Sequence, residues 1–413
     1  MSIAPETATA SVRWEGHARG SRGYRRLLAA LAFAGVATFA QLYSPQALLP
    51  RLSSELGIDP ARAALTVSLA TIGLAVAVLP WSFVADRIGR VGAMRAGIVA
   101  ATALGLAGPF APTFEALLAL RFFEGVALGA VPAIAIAYLS EEVTHTHAAI
   151  AAGTYIAGTT VGGLAGRLVS GPLAAIVGWR LAVLAVSVLG AAAAAAFIAL
   201  APKARGFSPA ARTPGGVRGA AGTVARRLAA QLRNGRLLML YAQAFLLMGS
   251  FVAVYNYLAF RLEAAPFWLP ASLASLVFIA YLSGTFSSGF AASLSSRYGR
   301  RTVVVASTVA MAAGAVVMVA DSLAAVLIGL LVFTAGFFAA HGIASGWTGA
   351  IAASGRAQAA SLYNLGYYGG SSLLGWAGGL VFHTWGWSAL VLGVASIALT
   401  TAAASWAAHR PAR

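Results

Sequence analysis

The chain has 413 residues, of which 60% are hydrophobic and 9% charged, whereas soluble domains have about 25% charged residues. This composition excludes a water-soluble globular protein and indicates a multi-pass helical membrane protein. The net charge of +17 first suggests a nucleic-acid-binding protein, because clustered basic residues bind phosphate. The absence of cysteine excludes disulfides, thiolate metal sites and a cysteine nucleophile.

The first 26 residues carry five arginines, and the hydrophobic run behind them is too long for a cleaved signal peptide. We expect residues 1–26 to be a retained cytoplasmic tail. Twelve hydrophobic runs of membrane-spanning length follow, and each should be a helix because lipid offers no hydrogen bonds to the backbone. They lie at about 27–48, 62–84, 93–111, 114–139, 147–172, 179–201, 237–260, 271–294, 302–320, 323–346, 357–381 and 386–407.

A polar segment at 203–235 separates the sixth run from the seventh. It contains basic residues and prolines but no acidic residue, and we interpret it as a solvated cytoplasmic linker close to lipid headgroups. The sequence therefore predicts an all-α membrane protein with twelve transmembrane helices in two bundles of six. The bundles would cover 27–202 and 236–408, and residues 409–413 would form a cytoplasmic C-terminal tail.

The distribution of basic residues tests this topology. With twelve spans and a cytoplasmic amino terminus, 22 lysines and arginines fall on the cytoplasmic side and four on the other side. This is the bias expected for a protein of the inner membrane with both termini in the cytoplasm. It also explains the net charge without nucleic acid.

An internal repeat supports the division into two bundles. Six residues between Arg51 and Arg90 recur 210 positions later, and six residues between Tyr155 and Trp179 recur 208 positions later. The repeat predicts two parallel six-helix units, which is one known plan for transporters.

The turn after the second run carries the most specific motif. Residues 82–90 read SFVADRIGR, and this segment resembles the signature G-x-L-A-D-R-x-G-R of the major facilitator superfamily. Glycine permits the tight turn, and the charged side chains can meet helix ends, headgroups or the other bundle. The resemblance implies a latch for the outward-facing state, formed by Asp86, Arg87, Gly89 and Arg90 and by the second copy Arg297, Gly299 and Arg300. Ser296 stands in place of the second aspartate, so we expect an asymmetric latch.

The fourth run contains two charges of opposite sign. Arg121, Gly125 and Gly129 lie along one helical stripe, which resembles the superfamily's pattern R-x-x-x-G, and Glu124 lies on an adjoining face. Since a charge at the bilayer centre costs at least about 2.5 kcal/mol, we expect both side chains to pair or to face a wet cleft between the bundles. Glu124 with Arg121 is our candidate for proton coupling; a permanent ion pair with Arg121 or Arg167 is the alternative.

The fifth run is rich in glycine and resembles a motif of the drug:proton antiporters. Its residues are Gly158, Gly162, Gly163, Gly166 and Arg167. Glycines at this spacing let another helix approach and let the helix bend. The antiporter motif has proline after its glycine, where this chain has Arg167, so the motif does not fix the direction of transport. We expect Arg167 to snorkel toward the outer surface rather than to bind substrate.

Polar and aromatic side chains inside the runs are candidates for a substrate cavity. They offer hydroxyl and amide groups beside aromatic rings, which suits an amphipathic or cationic organic ligand. For each residue alone, a hydrogen bond between helices is the alternative, and for the histidine a packed neutral ring. The candidates are Gln41, Tyr43, Tyr155, Gln243, Tyr255, Asn256, His341, Tyr363, Asn364 and Tyr367.

Nearly the whole chain resembles a bacterial branch of the superfamily, the inner-membrane efflux permeases of the drug-resistance or arabinose-efflux type. The resemblance implies proton-coupled export of small organic molecules by alternating access, in the lipid bilayer, as a monomer. A metabolite importer is the first alternative, and a non-transporting sensor or scaffold is the second. No enzyme motif, cofactor loop or metal-binding cluster occurs in the sequence, so we expect no enzyme, cofactor, metal or nucleic-acid partner.

Overall fold

A computed structural model of the chain describes residues 14–207, 222, 226, 228–352 and 355–409. These residues are mostly helical, without a β-strand. The predictions for the outermost tails and for 208–221 of the linker lie outside the described residues. The helices are α1 (Arg22–Tyr43), α2 (Leu49–Leu56), α3 (Pro60–Ile88), α4 (Arg90–Ala107), α5 (Phe114–Leu128), α6 (Ala130–Glu142), α7 (Ala148–Leu200), α8 (Gly235–Glu263), α9 (Ala271–Ala274), α10 (Tyr281–Tyr298), α11 (Arg300–Val317), α12 (Leu323–Ile351) and α13 (Arg356–Ala408).

Ten segments of the described chain are long and apolar enough to cross a membrane. Two of them, Ile150–Leu200 and Gln358–Ala408, contain 51 residues each, whereas one crossing needs about 20. Each is interrupted by one glycine with non-helical backbone angles, Gly178 (φ 82°) in α7 and Gly386 (φ 79°) in α13. Each long segment is therefore two spans joined at a break, and the all-α membrane fold with twelve spans is confirmed.

The break in α13 predicts a sharp difference between two of its glycines. An alanine Cβ would find open space at both Gly386 and Gly393, but only Gly386 has a positive φ. We expect Gly386→Ala to cost about 1–3 kcal/mol, because L side chains rarely adopt that conformation. Gly393→Ala should be neutral or stabilise by up to about 1 kcal/mol. Thermal unfolding in detergent measures both; equal melting temperatures would contradict this account of the break.

The internal repeat is also a repeat of backbone geometry. Gly89 joins α3 to α4 with φ 85° and ψ 156°, and Gly299 joins α10 to α11 with φ 81° and ψ 151°. The helix pairs repeat as well, since α1 packs along α7 and α8 packs along α13. We refer to α1–α7 as the N-terminal spans, to α8–α13 as the C-terminal spans, and to the end with Gly89 and Gly299 as the linker end.

Two boundaries differ from the sequence-based prediction. The helix α1 begins at Arg22, inside the predicted tail, because the Ser21 side chain accepts a hydrogen bond from the backbone of Tyr24 and caps the helix. The first linker residues are held against the N-terminal spans, while Lys203 and Arg205 remain exposed. The buried Glu142 carboxylate accepts the backbone N–H groups of Arg205 (2.5 Å) and Gly206 (2.7 Å).

Candidate functional site

The turn between α3 and α4 pairs its charges within the N-terminal spans. Arg90 donates to Asp86 (2.8 Å) and to Glu141 at the end of α6 (2.9 Å). Its guanidinium also lies 5.0 Å from the ring centre of Phe207. Arg87 is exposed. In this structure the predicted latch is therefore engaged inside one set of spans and not between the two sets.

The second copy of the turn differs, as Ser296 suggested. The Ser296 hydroxyl donates to the Ser293 carbonyl within α10. Arg297 lies over the ring of Tyr298 at 5.2 Å, and neither Arg297 nor Arg300 belongs to an ion pair within the described ranges. The two turns thus share a backbone but not a charge network.

Arg121 connects α5 to the end of α1. The α1 helix ends at Tyr43, where a 3₁₀ turn containing a proline begins, and the Gln41 carbonyl already accepts hydrogen bonds from the backbone N–H and the hydroxyl of Ser44. The buried Arg121 guanidinium donates to the Gln41 carbonyl (3.2 Å), the Leu42 carbonyl (2.7 Å) and the Thr66 carbonyl of α3 (2.9 Å). A cation at a helix C-terminus is favourable. The arginine therefore connects α5 and α3 to the end of α1.

Glu124 pairs with this arginine through one of its oxygens. Arg121 Nη1 lies 2.5 Å from Glu124 Oε2, and both side chains are nearly fully buried. The other oxygen, Oε1, shares the space beside Gly105 with Gln41 Oε1: an added Cβ there would lie 3.0 Å and 2.5 Å from them. Gln41 Oε1 has no hydrogen-bond partner within the described chain. Two acceptor oxygens, Glu124 Oε1 and Gln41 Oε1, therefore lie close together, and no hydrogen-bond donor of the described chain lies between them.

The pair does not lie between the two sets of spans. It borders a cavity of about 20 Å³ whose lining residues all come from the N-terminal spans, and this is room for about one water molecule. The expectation that Glu124 and Arg121 face a cleft between the bundles is therefore wrong. Helical spacing shows that both residues lie on neighbouring faces of α5. The cavity that these faces border is lined by the N-terminal spans alone.

Arg167 lies between the two sets of spans, where the Arg121–Glu124 pair was expected. Only 3% of the residue is exposed, so the prediction that it snorkels to the surface is wrong. It donates to Gln46 Oε1 (2.7 Å), to the Gly163 carbonyl (2.7 Å) and across the interface to the Tyr281 hydroxyl (3.3 Å). The side chain turns inward because these acceptors and the ring of Tyr43, 4.2 Å away, surround it there.

Three other members of the glycine motif are packing positions against α1. A Cβ at Gly158, Gly162 or Gly166 would lie 2.6 Å, 2.6 Å and 2.3 Å from backbone atoms of α1. The close approach predicted from the motif therefore occurs, with α1 as the partner. The helix is not broken at these glycines, since its one non-helical residue is Gly178.

A cavity of about 100 Å³ lies between the N-terminal and C-terminal spans and is lined mainly by aromatic residues. Both sets of spans contribute to it, and we refer to it as the central cavity. Its lining residues are Phe39, Tyr43, Thr159, Thr160, Gly163, Arg167, Met248, Phe251, Tyr281, Phe338 and Tyr367. Tyr43 and Tyr367 are thus the predicted cavity residues that the structure brings together here.

The remaining candidates lie elsewhere or bind other helices. Tyr255 bonds Thr334 (2.7 Å) and His341 bonds Tyr363 (2.9 Å). Asn256 bonds Gln46 (2.7 Å). Gln41 borders the Glu124 cavity, and Asn364 lines a cavity at the linker end. Tyr155 and Gln243 are buried, with a hydroxyl and an amide that find no partner among the described residues.

Gln46 is a residue of the interface that the sequence analysis did not single out. Its amide joins Arg167 of α7 to Asn256 of α8, so it contacts the cavity arginine and the C-terminal spans at once. The signal was present, because Gln46 follows Pro45 inside an apolar run, where an uncompensated amide is costly.

The two ends of the interface differ. Away from the linker end, the spans touch: Thr71 Oγ1 and Ser372 Oγ lie 2.7 Å apart, and a Cβ on Gly379 would lie 2.6 Å from Ala61 Cα. At the linker end, a second cavity of about 160 Å³ lies between α3 and α13, with Leu228 of the linker in its lining. The structure is therefore closed at one end of the interface and hollow at the other.

Comparison with known proteins agrees with this architecture. The sequence model of the Major Facilitator Superfamily matches residues 31–279. The chain is 36% identical over 373 residues to the MFS-type transporter YybF of Bacillus subtilis, covering 90% of this chain and 91% of the relative. The chain belongs to the major facilitator superfamily.

Further comparisons support the same assignment. The inner membrane transport protein YnfM of Escherichia coli is 36% identical over 370 residues, which cover 90% of this chain and 87% of YnfM. The crystal structure of the nucleoside transporter NupG superposes with a TM-score of 0.72 and 16% identity, covering 94% of this chain and 100% of the NupG chain. The likeness to NupG concerns the fold alone. The protein is a multi-pass membrane transporter of the major facilitator type.

Proposed function

We propose that the protein is a secondary active transporter that exports small organic molecules in exchange for protons. The observation that carries the proposal is a continuous path of contacts from Glu124 to the central cavity. Glu124 binds Arg121, Arg121 binds the last carbonyls of α1, and the 3₁₀ turn that follows carries Gln46. Gln46 in turn binds Arg167 in the wall of the cavity.

Proton binding is supported by the unpaired side of Glu124. Its Oε1 and Gln41 Oε1 are both hydrogen-bond acceptors without a donor in the described chain, and they share one small space. A proton on Glu124, or a water in the adjacent cavity, supplies the missing donor. Protonation of Glu124 also removes the negative charge that Arg121 neutralises. We expect this change to weaken the interaction of Arg121 with the carbonyls at the end of α1. The turn carrying Gln46 can then move relative to Arg167 and Asn256.

Orientation in the membrane follows from the charge bias. With 22 basic residues on the linker side and four on the other, we place both termini in the cytoplasm of a bacterial inner membrane. The hollow end of the interface then faces inward and the closed end outward. We assign the protein to the branch of drug:proton antiporters and arabinose-efflux-like permeases, acting as a monomer, with the Gly89 and Gly299 turns as the latch of the outward-facing state.

Alternating access predicts that a covalent link at the closed end stops transport. The chain has no cysteine, so Thr71→Cys with Ser372→Cys introduces the only thiols. Their side-chain oxygens are in direct contact at 2.7 Å, and a disulfide joins two such neighbouring side chains through an S–S bond of about 2.05 Å. We expect an oxidant to form a disulfide and block transport, and a reductant to restore it. Each single-cysteine variant is the control, and undiminished transport by the oxidised pair would contradict rocking about this end.

The proposed function is tested in proteoliposomes with an imposed pH gradient. Purified protein is first screened by thermal shift for stabilising compounds, and the hits are assayed for transport. If substrate enters the lumen while protons leave it, the result supports exchange. Accumulation of substrate together with protons would identify an importer. Absence of both movements for every hit would leave the sensor or scaffold.

A further inference from the structure

The central cavity contains one charged side chain. Its lining is aromatic, apolar or small and uncharged except for Arg167. The guanidinium is buried between the two sets of spans, where a charge is costly unless it is paired or hydrated. The buried charge of Arg167 therefore requires a group that neutralises it.

No carboxylate of the protein serves this purpose in the described chain. None of its ion pairs includes Arg167. The C-terminal spans and the loops between them hold two acidic residues, Glu263 at the end of α8 and Asp321 between α11 and α12. Asp321 is paired with Arg261. On the other side of the interface, Glu124 is committed to Arg121 inside the N-terminal spans. The cavity is therefore positively charged.

Protein contacts satisfy Arg167 only in part. Its guanidinium has five N–H groups, and Gln46, the Gly163 carbonyl and the Tyr281 hydroxyl accept three of them. The ring of Phe278 lies 5.1 Å from its central carbon, and the ring of Tyr281 lies 4.8 Å away. Cation–π contacts of this kind stabilise the charge without removing it. Hydrogen-bonding capacity remains on Nη1 and Nη2, the edge that binds a carboxylate with two parallel bonds.

We propose that the cavity binds a small organic carboxylate with a flat apolar body. The carboxylate would bind Arg167, and the body would lie among the rings of Phe251, Tyr281, Phe338 and Tyr367. Of the amphipathic or cationic ligands expected from the sequence, this assignment keeps the amphipathic class and replaces the cationic one. It names a substrate class for the proposed transporter and so rests on the proposed function.

The test uses compounds that share a body and differ in charge. Benzoate, benzamide and benzylamine form one set, and 2-naphthoate, its amide and 2-naphthylmethylamine form another. Binding to the purified full chain is measured in detergent by thermal shift, without a pH gradient. We expect the acids to raise the melting temperature more than the amides or amines. In Arg167→Gln the acids should bind about 10- to 100-fold more weakly, since a hydrogen bond to a charged group contributes about 1.5–3 kcal/mol.

Two further variants keep the result interpretable. Arg167→Lys retains the charge and should retain part of the acid preference, which separates charge recognition from a loss of folding. Arg180→Gln removes an exposed arginine beside Trp179 on the same helix and should bind like the parent protein. A preference for amines, no response to any acid, or an acid preference that survives in Arg167→Gln would overturn the assignment.

The binding experiment separates this proposal from the proposed function. If acids do not bind but another solute moves against a proton gradient, only the carboxylate assignment fails. If acids bind through Arg167 but no proton movement accompanies their transport, only the proton-coupled function fails.

Discussion

Glu124→Gln is expected to abolish proton-driven transport while the protein remains folded. The amide keeps the shape of the carboxyl group and can still accept from Arg121, whose Nη1 lies 2.5 Å from Glu124 Oε2. It can also donate to the unpartnered Gln41 Oε1. It cannot exchange a proton, so uphill movement of substrate driven by a pH gradient should fall to background. Exchange of substrate down its own gradient should persist, because that process needs no proton.

Glu115→Gln is the matched control for this variant. Glu115 lies on the same helix, α5, but its side chain is exposed and pairs with Arg62. Proteoliposomes with this control should couple substrate to protons like the parent protein. Coupling that is unchanged in Glu124→Gln would remove Glu124 from the mechanism and leave it as a permanent structural ion pair.

Arg121→Gln is expected to cause the largest loss of stability of any single substitution considered. It leaves the buried Glu124 carboxylate without a counter-ion, and breaking a buried pair costs about 3–5 kcal/mol. It also removes the donors that cap the carbonyls of Gln41 and Leu42 at the end of α1. The melting temperature in detergent should fall by many degrees. The double variant with Glu124→Gln should recover part of the loss, because no unpaired charge is then buried.

Arg62→Gln provides the comparison. Arg62 forms another Arg–Glu ion pair of the N-terminal spans, with Glu115 at 3.2 Å, and this pair is exposed. The substitution removes the arginine of that pair. Surface pairs contribute about 0–1 kcal/mol, so its effect should be small. If Arg121→Gln were no more destabilising than Arg62→Gln, the buried pair would not hold the end of α1.

Much of the fold followed from local patterns. The apolar runs predicted the spans, and the repeated glycines predicted the turns at Gly89 and Gly299, whose backbone angles nearly coincide. The repeat also paired Gly178 with Gly386, which turned out to be the two breaks inside long helices. Such features are accessible from sequence because a positive φ favours glycine wherever it occurs.

The candidate site was less accessible. The sequence identified Arg121, Glu124 and Arg167 as charges inside spans, and the predicted pairing of Arg121 with Glu124 is confirmed, but the place of each in the fold was predicted wrongly. Spacing along a helix shows which residues share a stripe, yet it does not show which neighbour that stripe meets. In this chain most faces of each span are apolar, so the pattern does not distinguish the inside of one bundle from the interface between two.

The amino-acid sequence alone determined the class of protein, the number of spans and the repeat, because a backbone in lipid must form its own hydrogen bonds within each run. Only the tertiary structure decided that Glu124 lies inside the first six spans and that Arg167 lies between the two sets. It also revealed Gln46 as the contact between them. The rotation of each helix about its axis depends on contacts with distant parts of the sequence: Arg121 bonds residues 55 to 80 positions away, and Arg167 bonds residues 114 and 121 positions away. A local sequence pattern does not contain these contacts.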